Sequence, residues 1–248
     1  MITLVVGASG ATGRLLVQQL LNEGLQVRII LRSLKDFPEA LMQNSRLTIT
    51  QASLLDMSRE QLLDHVQGCH GVVSCLGHNI TVKGIFFPPR RLVTDGVRRL
   101  CDAIEKTAAK QPVKFILMNS TGNKNALAGE TVSVAQSIVI GLIRHLVAPH
   151  ADNEEAAAYL QSNYGTNNRA IEWAAVRPDS LVDEPLVTAY EVYQSPIRSA
   201  IFDTGKSSRI NVANFMSQLI INPSLWDKWK NQMPVLYNAD FTDVKNKT

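Results

Sequence analysis

The chain has 248 residues, 45% of them hydrophobic and 19% charged, with 25 basic against 22 acidic residues and a formal charge of +3. That length and balance suit one large α/β domain and exclude a disordered, collagen-like or strongly polyanion-seeking chain. The basic residues are scattered, and the pairs Arg90-Arg91 and Arg98-Arg99 read as a solvated helix face, so no nucleic-acid partner is expected.

Residues 2–6 are an apolar run ending in glycine, the pattern of a buried parallel strand. The stretch Gly7-Ala8-Ser9-Gly10-Ala11-Thr12-Gly13 follows. Residues 14–22 carry Leu15, Leu16, Leu20 and Leu21 at helical spacing, and Gly24 closes that helix. Strands are predicted at 26–31 and 46–50. A helix is predicted over 58–66, where Ser58 followed by Gln61 has the capping-box pattern. A fourth strand falls at 71–75, a one-sided apolar helix at 92–107 and a fifth strand at 113–118, behind Pro112. Strands alternating with helices at this pace imply βαβ units with right-handed crossovers. The predicted fold is a Rossmann-type doubly wound parallel sheet, with its ligand crevice at the carboxyl ends of the strands.

The second half is less regular. A helix is predicted over 131–147, stopped by Pro149, and Asp152 is expected to cap a further helix over 153–161. Residues 170–176 read as a sixth strand, ended by Arg177-Pro178. Asn211 is expected to cap a helix through Ile220, stopped by Pro223, and residues 242–248 are expected to fray. One domain over 1–248 is expected, the segment from about 179 forming a small C-terminal cap on the substrate side. The longest apolar stretch, 132–148, is broken by Gln136, Arg144 and His145, so no membrane span is expected. It reads as a helix buried on one face, or as an exposed apolar patch for a partner, a second copy of the chain included, or for a membrane surface.

The three cysteines, Cys69, Cys75 and Cys101, have neither metal nor redox spacing, and their odd number argues against a disulfide framework. A cytoplasmic, reducing location is expected, with no metal site. The chain enters an apolar strand directly, with no basic leader or cleavage site, so no signal peptide is expected.

The spacing Gly7-x-x-Gly10-x-x-Gly13, between a strand and a helix, suits a dinucleotide pyrophosphate. Gly7 makes the turn, Gly10 lets phosphate approach the main chain, and Gly13 lets helix and strand pack. The helix amides then point at the anion. The second strand ends Ile30-Leu31-Arg32-Ser33 with no acid for ribose hydroxyls. Arg32 is placed to pair with a 2′-phosphate and Ser33 to add a hydrogen bond, so NADP(H) is expected over NAD(H).

The motif Val6-Gly7-Ala8-Ser9-Gly10-Ala11-Thr12-Gly13 resembles that of the atypical short-chain dehydrogenase/reductases. Within them it is most similar to the NAD(P)H-binding group that includes NmrA-like proteins and flavin/biliverdin-IXβ reductases. The segment Val72-Val73-Ser74-Cys75-Leu76-Gly77 resembles the family's fourth strand, which runs beneath the cofactor. Ser53, Leu54 and Asp56 match the loop that meets the adenine, although Ala52-Ser53 replaces the usual Gly-Asp. Asn119-Ser120-Thr121-Gly122 matches the fifth-strand position, where the resemblance implies a serine or threonine beside the nicotinamide. Val176-Arg177-Pro178 is similar to an Arg-Pro step whose backbone lies near the carboxamide, and Ile210-Asn211-Val212-Ala213 resembles an Asp-Val-Ala step with Asn for Asp.

The catalytic Tyr-x-x-x-Lys pair of typical short-chain dehydrogenases is missing, because none of the five tyrosines has a lysine four residues on. Ordinary ketone chemistry, which needs that acid, is therefore disfavoured, and so is a sugar-nucleotide epimerase. One remaining reading is hydride transfer to a planar acceptor, flavin-like or quinone-like, which needs no strong protein acid. The other is a non-catalytic, NmrA-like protein that senses the cofactor's redox state for a partner. Ser120 is the candidate catalytic residue, and candidate substrate-side residues are Asn119, His78 at the crevice mouth, and Tyr190 and Tyr193, which suit stacking on a planar acceptor. His150 is a candidate proton relay with Asp152 or Glu154, though acids at a helix start have their own reason in the dipole.

Overall fold

The computed structural model describes residues 1–35, 37–78, 90–125, 129–130, 148–166, 168–199 and 203–239, with the side chains of 148–150 outside that set. The helix predicted over 131–147, the chain end 242–248 and the His150 side chain fall outside it.

The sheet is built as the apolar runs require. Strands β1 (Ile2–Val6), β2 (Gln26–Leu31), β3 (Leu47–Gln51), β4 (Gly71–Ser74), β5 (Val113–Met118) and β6 (Ile171–Pro178) are all parallel. Two later strands, β8 (Tyr190–Tyr193) and β10 (Val235–Asn238), extend the same sheet, giving eight strands in the order β3-β2-β1-β4-β5-β6-β10-β8. β10 runs parallel to β6, and β8 antiparallel to β10. A separate two-stranded parallel sheet pairs β7 (Ser180–Val182) with β9 (Lys206–Ser208).

Side chains alternate across the strands and so define two cores. On one face Leu4, Val6, Val72, Phe115, Leu117 and Trp173 pack beneath α3 (Arg59–Val66), α4 (Leu92–Glu105) and α5 (Ala148–Tyr164). On the other, Val5, Ile29, Val73, Ile116 and Ala174 pack beneath α1 (Ala11–Asn22), α6 (Arg209–Ile221) and α7 (Pro223–Trp229). Truncating one of the buried Leu, Ile, Phe or Trp side chains to Ala costs about 2–5 kcal/mol. The chain leaves β3 on one side of β1 and returns through β4 on the other. That reversal opens the crevice between the exits of β1 and β4.

Several expected ends are corrected. The first helix starts at Ala11 rather than Arg14, so the glycine loop runs straight into it. Ser58 does cap α3: its Oγ accepts the Gln61 amide at 3.2 Å and its own amide donates to Gln61 Oε1 at 2.8 Å. Asp152 is not an N-cap. α5 begins at Ala148, with Pro149 in the first turn where its missing N–H costs nothing, so Asp152 lies inside the helix. Asn211 is not a cap either. Ser208 Oγ accepts the Asn211 amide at 3.2 Å and caps α6, while the Asn211 side chain bonds Thr188 and Asn238. Pro223 does not merely stop a helix but opens α7, capped by Asn222. The segments after Pro178, expected as a cap, supply β8 and β10 to the main sheet.

Candidate cofactor-binding site

The crevice starts with backbone. Gly7 has φ +73°, a conformation L side chains avoid, and a Cβ there would overlap the Cys75 carbonyl and the Leu76 amide. The exits of β1 and β4 therefore touch main chain to main chain. A Cβ on Gly13 would overlap the Gly7 carbonyl, and one on Gly10 would lie 3.2 Å from that oxygen. The Gly10 amide donates to Gly7 O at 3.0 Å, closing the turn, and the Arg14 amide donates to Gly10 O at 3.0 Å, opening α1. Gly10 is the N-cap and has no side chain to offer the first amides of α1, which leaves them for an anion.

A cleft of about 400 Å³ lies on this loop. Of the predicted residues, Gly7, Ser9, Gly10, Arg32, Ser53, Leu54, Cys75, Leu76 and Gly77 line it, together with Asp56. Leu55 and Leu92 also line it and carry no signal in the sequence. Ala8, Ala11, Thr12 and Gly13 complete the turn and first helical residues without lining the cleft. Arg32 is exposed at the end of β2, and its guanidinium has no partner among the described residues. Ser33 does not line the cleft; its Oγ accepts the Lys35 amide at 3.2 Å. Burial pushes the Cys75 thiol up to about 12, so it stays protonated and is not a nucleophile.

The opposite end of the crevice, past β4, β5 and β6, is held by side chains. His78 Nε2 and Asp152 Oδ2 lie 2.7 Å apart, with the two side chains 4% and 0% exposed. The same carboxylate accepts the amides of Val93 at 2.8 Å and Thr94 at 2.9 Å, so Asp152 caps α4 from another helix. Burial raises its pKa, but the bonds from His78, Thr94 and Val93 together outweigh that and hold it below the ordinary value. Asp152 is thus paired with His78; the relay expected of His150 with Asp152 or Glu154 involves a side chain outside the described residues.

Arg177 is fully buried and forks onto Glu130, with Nη1 2.8 Å from Oε2 and Nη2 2.7 Å from Oε1. It also donates to the carbonyls of Met233, Asn123 and Gln194. Burial raises the Glu130 pKa, but Arg177 and the Asn125 amide together bring it below the ordinary value. The Arg177 side chain is therefore a structural tie, and Glu130 is its counterpart that the sequence did not advertise. Pro178 ends β6, and its carbonyl accepts the Thr121 amide at 3.2 Å. The Asn119 side chain donates to Asn153 O at 3.1 Å and accepts the Ser120 amide at 2.8 Å, tying the exit of β5 to α5. Ser120 Oγ accepts the Gly122 amide at 3.2 Å.

Tyr190 and Tyr193 do not line the cleft. β8 is the outermost strand, where Tyr190 packs edge-on against Phe215 and donates to Asn214 at 2.8 Å. Tyr193 packs against Tyr237 and donates to Glu191. Among the described residues, no helix is long and apolar enough to cross a membrane, and no group of three His, Cys, Asp or Glu is placed to hold a metal ion. The arginines read as a solvated face are partly tied down: Arg91 pairs with Glu155 and Asp95, and Arg98 with Glu155.

A parallel doubly wound sheet with this glycine turn at its reversal point defines a dinucleotide-binding oxidoreductase-type fold. Over residues 7–223 the chain matches the model of the NAD(P)H-binding family and belongs to it. This agrees with the resemblance to atypical short-chain dehydrogenase/reductases. No curated protein matches the sequence. Among solved structures, the chain is similar to a short-chain dehydrogenase/reductase from Veillonella parvula DSM 2008 in complex with NADP, at 14% identity and TM-score 0.69, covering 96% of this chain and 94% of that one. It is similar to ChuY, an anaerobilin reductase from Escherichia coli O157:H7, at 18% identity and TM-score 0.66, over 97% and 98% of the two chains. It is also similar to a candidate NADH-flavin reductase from Streptococcus pneumoniae TIGR4, at 14% identity and TM-score 0.65, over 96% and 100%. At these identities the likeness is one of fold.

Proposed function

We propose that this chain is an NADP(H)-dependent oxidoreductase, one domain over 1–248, that reduces a planar flavin-like or quinone-like acceptor. The observation carrying the cofactor choice is Arg32, at the rim of the glycine-loop cleft: its guanidinium has no partner among the described residues, and no acid stands at the end of β2. A carboxylate there would repel a 2′-phosphate, whereas a guanidinium forks onto it.

The residues fit the cofactor. The glycine turn needs the absence of a Cβ at Gly7, where one would strike the Cys75 and Leu76 main chain, and the uncapped start of α1 complements phosphate charge. Ser9, Gly10 and the α1 amides hold the pyrophosphate, Arg32 the 2′-phosphate with Ser33 beside it adding little, and Ser53, Leu54 and Asp56 the adenine. Cys75, Leu76, Gly77, Ser120 and the backbone of Arg177-Pro178 flank the nicotinamide, with His78 and Asn119 toward the acceptor. When bound, the reduced nicotinamide supplies a hydride. The protein's part is to orient acceptor and cofactor face to face and to exclude water. The absence of a Tyr-Lys pair fits an acceptor that is already a good electron sink. An anaerobilin reductase and a candidate NADH-flavin reductase among the structures of like fold support a planar acceptor. Three free cysteines suit a reducing, cytoplasmic compartment.

The test is NADPH oxidation followed at fixed protein concentration with FMN, riboflavin and menadione. Steady oxidation with at least one is expected. Tight NADPH binding with no turnover across all three contradicts the reading and favours a redox-sensing partner protein.

A further inference from the structure

His78 sits one residue past Gly77, which lines the cleft, so its Cα is about 3.8 Å from that of a cleft residue. Asp152 is tied to the same wall, because it accepts the amide of Val93, the neighbour of cleft-lining Leu92. The two residues are far apart in sequence, and yet an imidazole and a carboxylate meet at 2.7 Å beside the carboxyl ends of β4 and β5. Capping α4 does not require the histidine, since the amides of Val93 and Thr94 already take one oxygen each. The histidine adds an ionisable donor whose Nδ1 has no hydrogen-bond partner among the described residues.

We propose that His78 is the proton donor to the acceptor and Asp152 its positioning residue, together replacing the missing Tyr-x-x-x-Lys pair. The proposal rests on the oxidoreductase reading above. The acceptor takes a hydride, and with it two electrons, from the reduced nicotinamide, which is left oxidised. As the hydride arrives, in the same step, the Nδ1–H bond of the doubly protonated imidazole breaks, and a nitrogen or oxygen of the acceptor gains that proton. The ring keeps its Nε2–H, donated to Asp152, and water reprotonates Nδ1 before the next turnover. The carboxylate holds the Nε2 side of the ring and so leaves Nδ1 as the nitrogen that gives its proton to the acceptor. Besides Asp152, the charged residues of the packed helices near this point are Glu154 and Glu155 on α5 and Arg91 and Asp95 on α4. Glu155 is engaged by Arg91 and Arg98, and Arg91 also by Asp95.

The test is single-turnover oxidation of bound NADPH by menadione from pH 5.5 to 9, in water and in deuterium oxide. His78→Gln keeps an N–H for Asp152, so the fold should tolerate it. It is expected to bind NADPH within about twofold of the wild type while reacting about 100-fold slower or worse, without the wild type's solvent isotope effect. Added imidazole is expected to restore part of the rate in His78→Ala. Asp152→Asn is expected to slow the same step and to reduce its solvent isotope effect. A His78→Gln protein with the wild-type rate and isotope effect overturns the proposal. So does a slowed His78→Ala that imidazole does not rescue and whose melting temperature falls in step, because that is a strut. If the wild type binds NADPH but never oxidises it, the oxidoreductase reading has failed separately. The ring then answers by NMR of ¹³C-histidine in the NADPH-saturated protein. A His78 resonance that menadione shifts supports a ring facing the bound acceptor, and one it leaves unmoved overturns the proposal.

Discussion

The two ends of the crevice are made of different material. At the adenosine end the shape comes from main chain: the positive φ of Gly7, the space left by Gly10 and Gly13, and the free amides at the start of α1. Among the described residues that line it, Arg32 and Asp56 are the charged ones, and Arg32 is the one proposed to meet the 2′-phosphate. At the reaction end the shape comes from buried ionic side chains reaching across the sequence, Arg177 to Glu130 and His78 to Asp152. A backbone device depends on the local absence of Cβ atoms, whereas a side-chain device depends on charges being paired out of water. The first is sensitive to size and the second to charge and pH.

Glu130→Ala should break the reaction end most heavily. It leaves the fully buried Arg177 without its counter-charge, a loss of about 3–5 kcal/mol and roughly 10 °C in melting temperature. The adenosine end should survive, so adenosine 2′,5′-bisphosphate binding measured below the melt stays within about threefold of wild type. Loss of that binding in a folded Glu130→Ala protein would show that the two ends are not separable. Gly13→Val does the reverse. Its side chain meets the Gly7 carbonyl, so bisphosphate binding is expected to vanish in calorimetry, with about 1–3 kcal/mol lost in a denaturant melt.

Acid sharpens the contrast. Glu130 and Asp152 both hold their protons more weakly folded than unfolded, so they stabilise the fold above the ordinary carboxylate range. That contribution disappears as pH falls below about 4, through their lowered folded values. Melting temperature against pH should therefore drop there, and by less in Glu130→Gln, measured relative to that variant's own value at pH 7. The smallest effect is expected for Ser33→Ala. Its hydroxyl is engaged by the Lys35 amide, so NADPH affinity should change by no more than about threefold.

The same division decides what could be read from the chain. The glycine loop, the β1-α1-β2 unit and the Ser58 cap were legible because each is a local pattern with a local cause. Asp152 was misread as an N-cap because an acid ahead of a helical run has that role in isolation. Its partners, Val93, Thr94 and His78, are supplied only by the folded sheet. Glu130 was invisible for the same reason, since nothing near Gly129 announces Arg177. β10 is a four-residue run, Val235–Asn238, whose place beside β6 depends on a long-range pairing. Tyr190 and Tyr193 lie three apart, on opposite faces of the edge strand β8, which takes them away from the cleft.

The central claim is that the cleft selects the 2′-phosphate through Arg32. The direct measurement is calorimetric titration of the protein with NADPH and with NADH, repeated for Arg32→Ala. A preference for NADPH of about 10- to 100-fold, the size of a charge-assisted hydrogen-bond pair, that collapses in the mutant is the predicted result. Equal affinity for the two nucleotides in the wild type, or a preference that survives in Arg32→Ala, would contradict it.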